Sequence, residues 1–177
     1  MKRFILFIVL TIFMLSGVSC EKKEPPKAVL MLKKADYFYE KGELRKALYI
    51  YKQVMDAYPD SKSGKIAAEN YVRYSQMLQS EIEANKKINF DRTKRLARAV
   101  ELYYRDYRKY PESIDDLIPK YIPKRIVDVW GNPLVYKKTK TGYIVACFGK
   151  DGIIGGKDED TDFFIQDGEV VTIPEIK

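Results

Sequence analysis

The first half of the chain is patterned as helix. Between Ala28 and about Ile88, apolar residues recur at spacings of three and four, as expected for helices with one buried face. Two segments, AVLMLKKADYFYEK and ELRKALYIYKQVMDAY, are separated by Gly42 and closed by Pro59, and glycine and proline are typical helix terminators. A third segment, SGKIAAENYVRYSQMLQSEIEA, continues the pattern. The sequence therefore predicts a helical region over residues 28–88.

A further helix is predicted to begin near Asp91, in DRTKRLARAVELYYRDYRKY. Leu96, Val100, Tyr103 and Tyr107 recur at spacings of four, three and four, which places them on one helix face. Pro111 lies four residues after Tyr107 and predicts the end of this helix.

The periodicity then changes to that of strands. The segments PLVYKKT, GYIVACFG, DFFIQ and EVVTI are short, β-branched and aromatic, and turn residues separate them,. Ahead of them, Ser113 and Asp116 form a predicted capping pair for a short helical turn. One long helix followed by a small antiparallel sheet predicts an α+β domain over residues 91–177, so the fold class expected for the chain is α+β.

The N-terminus has the features of an export signal. Lys2 and Arg3 precede an apolar stretch over residues 4–15, which is short for a membrane span. The small residues that lead into Cys20 resemble the lipobox of bacterial lipoproteins. This resemblance implies removal of residues 1–19, lipidation of Cys20 and a tether over residues 20–27. An ordinary cleaved signal or a single membrane anchor is the alternative.

The amino-acid composition limits the catalytic and metal-binding chemistry open to this chain. The chain has no histidine, which excludes His-based catalytic triads and the commonest zinc ligands. With Cys20 lipidated, Cys147 is the remaining thiol, so no internal disulfide is expected. Net charge is +7, yet the segment from Asp151 to the end carries eight acidic and two basic residues. No interleaving of aromatic and basic residues indicates a nucleic-acid partner.

The helical region resembles a tetratricopeptide repeat. Residues of the expected type stand at six positions of a unit of about 34 residues counted from Ala28: Ala35, Phe38, Gly42, Ala47, Tyr51 and Pro59. Such repeats need about three copies to bury a continuous core, so one and a half units must dock on the rest of the chain or on a partner. The alternative is a plain helical hairpin without a recognition role.

The C-terminal half resembles the soluble domain of the major pseudopilin of type II secretion. The similarity is carried by AVELYYRDYRKYPESIDDL, DVWGNPLVYKK and FGKDGIIGGKDEDTDFF in this order. The family's turn is matched at Asp128, Trp130, Gly131, Asn132, Pro133 and Tyr136, and its glycine-rich acidic loop at Gly149, Asp151, Gly152, Gly155 and Gly156. This resemblance implies a pilin-like fold.

In that family the acidic loop binds calcium, an ion that takes six to eight oxygen ligands. The resemblance implies the following ligands here: the carboxylates of Asp151 and Asp158, the backbone carbonyls of Phe148 and Ile153, and Asp160 or Asp162 to complete the shell. Without a cation these carboxylates would repel one another.

Two other interpretations of the loop stay open at the level of sequence. Asp158, Asp160, Asp162 and Glu169 occupy the first, third, fifth and twelfth positions of an EF-hand, but Phe163 stands where that loop requires glycine,. The loop could also be a solvated acidic turn that holds no ion.

The long apolar helix with which a pseudopilin begins is replaced here by the export signal and the repeat-like helices. We therefore expect a non-enzymatic lipoprotein that is anchored through Cys20 and faces the periplasm. The outer membrane is favoured over the inner membrane as its location. Calcium would be structural, and the partners would be envelope proteins of a secretion or pilus-type system rather than a small-molecule substrate. The alternatives are an envelope scaffold acting through residues 28–88 and a hydrolase using the acidic loop with a divalent ion.

Overall fold

The structure, a computed structural model, describes residues 23–172. The predicted export signal and Cys20 lie outside the described residues. The described chain divides into two compact units between Tyr71 and Val72, and each is described by itself.

The first unit is a helical hairpin followed by the start of a third helix. Helix α1 spans Pro26–Glu40, α2 spans Leu44–Ala57, and α3 begins at Lys62. Gly42 makes the turn between α1 and α2 with a φ of +74°, a region that glycine enters without strain. The two helices pack on each other with Ala35 and Ala47 fully buried, because small side chains let helices approach closely.

The segment before α1 helps to start α3. The Glu24 carboxylate accepts hydrogen bonds from the backbone N–H groups of Lys62 at 3.0 Å and Ser63 at 2.9 Å. These donors lack partners within the helix, and a carboxylate also complements the positive end of the helix dipole. Residues 24–27 of the predicted tether therefore belong to the folded unit.

Helix α3 is the longest element and spans Lys62–Tyr107, or 46 residues. The helix predicted to begin near Asp91 is continuous with the one before it. The reason is visible in the sequence, since neither glycine nor proline occurs between Lys65 and Tyr107, and nothing there terminates a helix.

The second unit contains a four-stranded antiparallel sheet in the order β1-β2-β3-β4. The strands are Val135–Lys138, Tyr143–Cys147, Phe163–Gln166 and Glu169–Val171, and short 3₁₀ helices occupy Ile114–Leu117 and Asp158–Asp160. Val145 of β2 pairs with Tyr136 of β1 and Ile165 of β3. The fold is α+β, as the sequence predicts, and the capping box of Ser113 and Asp116 is confirmed.

The core of this unit lies between the C-terminal half of α3 and the sheet. Leu96 and Val100, on the predicted helix face, are fully buried with Val145 and Ile165. Cys147 is also buried, and burial raises the pKa of its thiol,. The strand residue is thus a packed apolar group, as its sequence context predicts.

None of the helices between residues 23 and 172 has the length and apolar character needed to cross a bilayer.

Candidate metal centre

The glycine loop, residues 148–162, connects β2 to β3. Gly149 and Gly156 have φ angles of +62° and +123° and lie against the backbone of Asp160. A β-carbon at either position would approach Asp160 atoms to 2.6 Å or less. Both glycines are therefore required by φ and by close contact.

Backbone hydrogen bonds hold the two ends of the glycine loop together. Lys150 N–H donates to the Glu159 carbonyl at 3.0 Å, and Gly152 N–H donates to the Phe148 carbonyl at 3.2 Å. The Asp158 carbonyl accepts the Thr161 hydroxyl at 2.8 Å. The loop consequently has a defined shape in which Asp151 and Asp162 lie at fixed places.

The carboxylates of Asp151 and Asp162 interact electrostatically, and one of them lacks hydrogen-bond partners at one oxygen. Asp162 Oδ2 accepts the Gly155 N–H at 2.6 Å, and Asp151 Oδ1 accepts the Ile153 N–H at 3.1 Å. Asp162 Oδ1 is buried without a partner among the described residues. Burial raises the pKa of Asp162, the Gly155 N–H opposes this, and the negative charge of Asp151 raises the pKa further,.

The other predicted ligands are placed as follows. Asp158 and Asp160 lie at the ends of the 3₁₀ helix within the loop. The Phe148 carbonyl accepts one hydrogen bond and retains a second lone pair. Within residues 23–172 there is no group of three or more His, Cys, Asp or Glu side chains arranged to hold a metal ion.

This arrangement fits a cation that uses backbone oxygens and water besides two carboxylates. Calcium accepts such mixed oxygen ligands, whereas zinc sites depend on Cys and His. Asp151 and Asp162 would supply the carboxylates, and the carbonyls of Phe148 and Ile153 remain the predicted backbone ligands. The EF-hand alternative is excluded, since residues 163–171 form β3, a turn and β4 rather than a helix.

The turn from Asp128 to Pro133, the tryptophan turn, supports the glycine loop. Asp128 is buried, and its Oδ1 accepts the N–H groups of Trp130 at 2.9 Å and Asn132 at 2.7 Å. Its Oδ2 accepts the Asn132 side-chain amide at 2.9 Å. The buried charge of Asp128 is therefore fully served by donors of its own turn.

Asn132 also joins this turn to the glycine loop. Its Nδ2 donates to the carbonyls of Gly149 at 3.2 Å and Lys150 at 3.4 Å. These residues directly precede Asp151, so Asn132 fixes the start of the segment that carries this carboxylate. The two motifs that the pseudopilin resemblance links in sequence are linked in space by this one side chain.

Asn89 of α3 anchors the tryptophan turn, and the sequence analysis missed it. Asn89 is buried, and its side-chain oxygen accepts the Val129 N–H at 2.9 Å. Thr93, also buried, donates its hydroxyl to the Asn89 carbonyl at 2.8 Å. Helical spacing could have identified it, because Asn89 precedes Leu96 by seven residues and so lies on the same, apolar face of α3.

No family model, curated protein or solved structure matches this chain.

Proposed function

We propose that this protein is a membrane-anchored lipoprotein of the bacterial envelope whose second unit holds a structural calcium ion in the glycine loop. In this proposal the unit acts as an interaction or accessory component of a type II secretion or pilus-type assembly. The observation that carries the metal proposal is the buried, unpartnered Oδ1 of Asp162 beside the charge of Asp151.

A buried carboxylate oxygen without a donor is costly, and a second negative charge nearby raises the cost. A divalent cation bound by both carboxylates would remove both costs and complete the oxygen shell through backbone carbonyls and water. The ion supplies positive charge and coordination, which stabilise the folded loop. A ligand that binds only the folded state stabilises it by mass action.

The assembly role rests on the sequence resemblances and on the α+β fold. The lipobox-like Cys20 supports anchoring, and the linked pair of turn and loop supports a pseudopilin-like domain. In this proposal, the first unit binds partner proteins next to the membrane. Catalysis has no part in this proposal, because the carboxylates of the loop are assigned to holding the ion.

Thermal unfolding of the full chain in detergent tests the metal proposal. Calcium at about one hundred times its Kd should stabilise the protein by about 2.7 kcal/mol relative to chelator, and magnesium should do less because it prefers a smaller octahedral site. Asp162→Asn should lose this stabilisation by calcium. Its control is Glu169→Gln, which makes the same change in charge at an exposed position and should keep the stabilisation. Equal melting of the wild type in calcium and chelator would contradict the site.

The assembly role needs a separate experiment. Deletion of the gene should reduce the amount of secreted or surface-assembled protein, and the intact gene should restore it. Cys20→Ser should fail to restore it if anchoring is required, provided that immunoblots show equal amounts of protein. Normal secretion and normal surface assembly in the deletion strain would overturn this part while leaving the metal result intact.

A second candidate function is an envelope scaffold that acts through the helical hairpin. The observation that favours it is a groove on α1 and α2 of about 400 Å³, lined by residues that include Phe38 and Tyr49. Full-length protein with Tyr49→Ala should lose its envelope partners under this candidate. Partners kept by that variant and lost by Asp162→Asn favour the first proposal.

A further inference from the structure

The groove on the helical hairpin is both basic and aromatic. The lining includes Lys34 and Phe38 of α1 and Arg45, Lys46, Tyr49 and Ile50 of α2. It is a shallow groove of about 400 Å³ that is open to solvent.

Three cations line this groove, namely Lys34, Arg45 and Lys46. Lys46 forms an ion pair with Glu43 and also lies 5.5 Å from the Phe38 ring centroid. Lys34 is exposed, and Tyr49 is 66% exposed. Across residues 23–71 there are ten basic and seven acidic side chains, a net charge of +3. The surface is thus suited to an acidic segment with an apolar residue.

The glycine loop has the opposite composition. Ile153 and Ile154 are 66% and 72% exposed at its tip, between Gly152 and Gly155. Residues 151–172 carry seven acidic side chains and one basic side chain, a net charge of −6. A bound divalent cation would leave this segment negative. The two adjacent isoleucines therefore form an exposed apolar patch at the loop tip,.

We propose that the glycine-loop tip of one copy docks in the groove of a second copy of this chain. Ile154 enters between Phe38 and Tyr49, and the acidic residues that follow it face Lys34 and the other groove cations. Charge complementarity between the two segments selects this occupant, because the same chain supplies a net +3 unit and a net −6 segment,.

The interface is head to tail, since two different surfaces meet. Such contacts leave a free groove on one copy and a free loop on the other, so they build rings or open chains rather than closed two-fold dimers. At each contact one copy contributes the groove and the other contributes the loop tip. Two copies that carry different cysteine substitutions can therefore test the interface.

Cross-linking of two full-length copies in detergent tests the proposal. One copy carries Tyr49→Cys and the first tag, and the other carries Ile154→Cys and the second tag. Under mild copper oxidation, the disulfide dimer with both tags should exceed each dimer with two identical tags by roughly tenfold. Wild-type copies, in which Cys147 is the remaining thiol when Cys20 is lipidated, give the background.

Matched charge variants connect the cross-link to the groove. Lys34→Glu in the Tyr49→Cys copy should lower the mixed dimer by roughly fivefold or more. Lys33→Glu makes the same charge change one residue away, outside the groove lining, and should leave the yield unchanged. On the loop side, Val170→Cys, at a position 61% exposed, replaces Ile154→Cys as a control and should cross-link at background level.

Three results would overturn the proposal. The first is a mixed dimer no more abundant than the dimers with identical tags. The second is an equal loss for Lys33→Glu and Lys34→Glu. The third is an intramolecular disulfide when one copy carries both cysteines, because the loop would then occupy the groove of its own chain.

Discussion

Asp128 and Asp162 show two ways of removing a carboxylate from water within one unit. Asp128 is buried but accepts three hydrogen bonds from the tryptophan turn. Asp162 has one oxygen bound to the Gly155 N–H and the other buried without a partner. The first site is complete as the chain builds it, and the second has coordination left over. Unsatisfied oxygen, rather than acidity, marks the candidate metal ligand.

The largest effect is expected at the satisfied site. Asp128→Ala removes the acceptor of three donors inside a buried turn, which should cost about 3–5 kcal/mol of unfolding free energy. Urea unfolding of the full chain should show most of this loss already in chelator, because the hydrogen bonds of the turn need no ion. Asp128→Asn is the matched control and should retain part of the stability. A loss seen only in calcium would break the distinction between the two sites.

The next effect is expected where the two sites touch. Asn132→Ala removes the amide donor to Asp128 and to the Gly149 and Lys150 carbonyls, which should cost about 1–3 kcal/mol. It should also weaken calcium binding several-fold, since the start of the segment carrying Asp151 loses its anchor.

Isothermal titration of the Asn132→Ala protein with calcium measures that coupling. Lys138→Ala is a suitable control. Lys138 lies on β1 and forms an exposed ion pair with Glu112, so its substitution should leave calcium affinity unchanged. Unchanged affinity in Asn132→Ala would show that the tryptophan turn only stabilises the fold.

The sequence predicted the fold more fully than the site. Short β-branched and aromatic segments, turn residues and the apolar face of Leu96 and Val100 predict a sheet packed against a helix, and the structure confirms this prediction. The helix start predicted near Asp91 was wrong, because no glycine or proline stands there to end the preceding helix and α3 runs through this position. Spacing within the glycine loop leaves the choice between Asp160 and Asp162 open, since that choice depends on the burial of a single oxygen.

A smaller effect, which reverses sign with calcium, is expected at Asp162. In chelator, Asp162→Asn removes a partly buried charge near Asp151 and should stabilise the protein by roughly 0.5–1 kcal/mol. In calcium the same variant should be less stable than the wild type, because it loses a charged ligand. Melting of both proteins in both buffers measures the reversal. The same sign in both buffers would remove Asp162 from the set of ligands.

The smallest effect is expected at a third carboxylate, Asp106, which has hydrogen-bond donors but lies at the surface. The Tyr121 hydroxyl and the Lys120 ammonium donate to Asp106 Oδ2 at 2.6 and 2.9 Å and lower its pKa from 3.8 to about 2. Because the folded pKa lies below the unfolded one, the stabilisation is present above about pH 4 and is lost as pH falls toward about 2. Asp106→Asn should therefore be less stable than the wild type near neutral pH, and the difference should close near about pH 2.

Urea unfolding across this pH range measures the closing difference, and solvent screening keeps it small. Tyr121→Phe removes the larger cause while Lys120 stays, so it should reproduce part of the effect. A difference between Asp106→Asn and the wild type that stays constant down to about pH 2 would contradict the assignment.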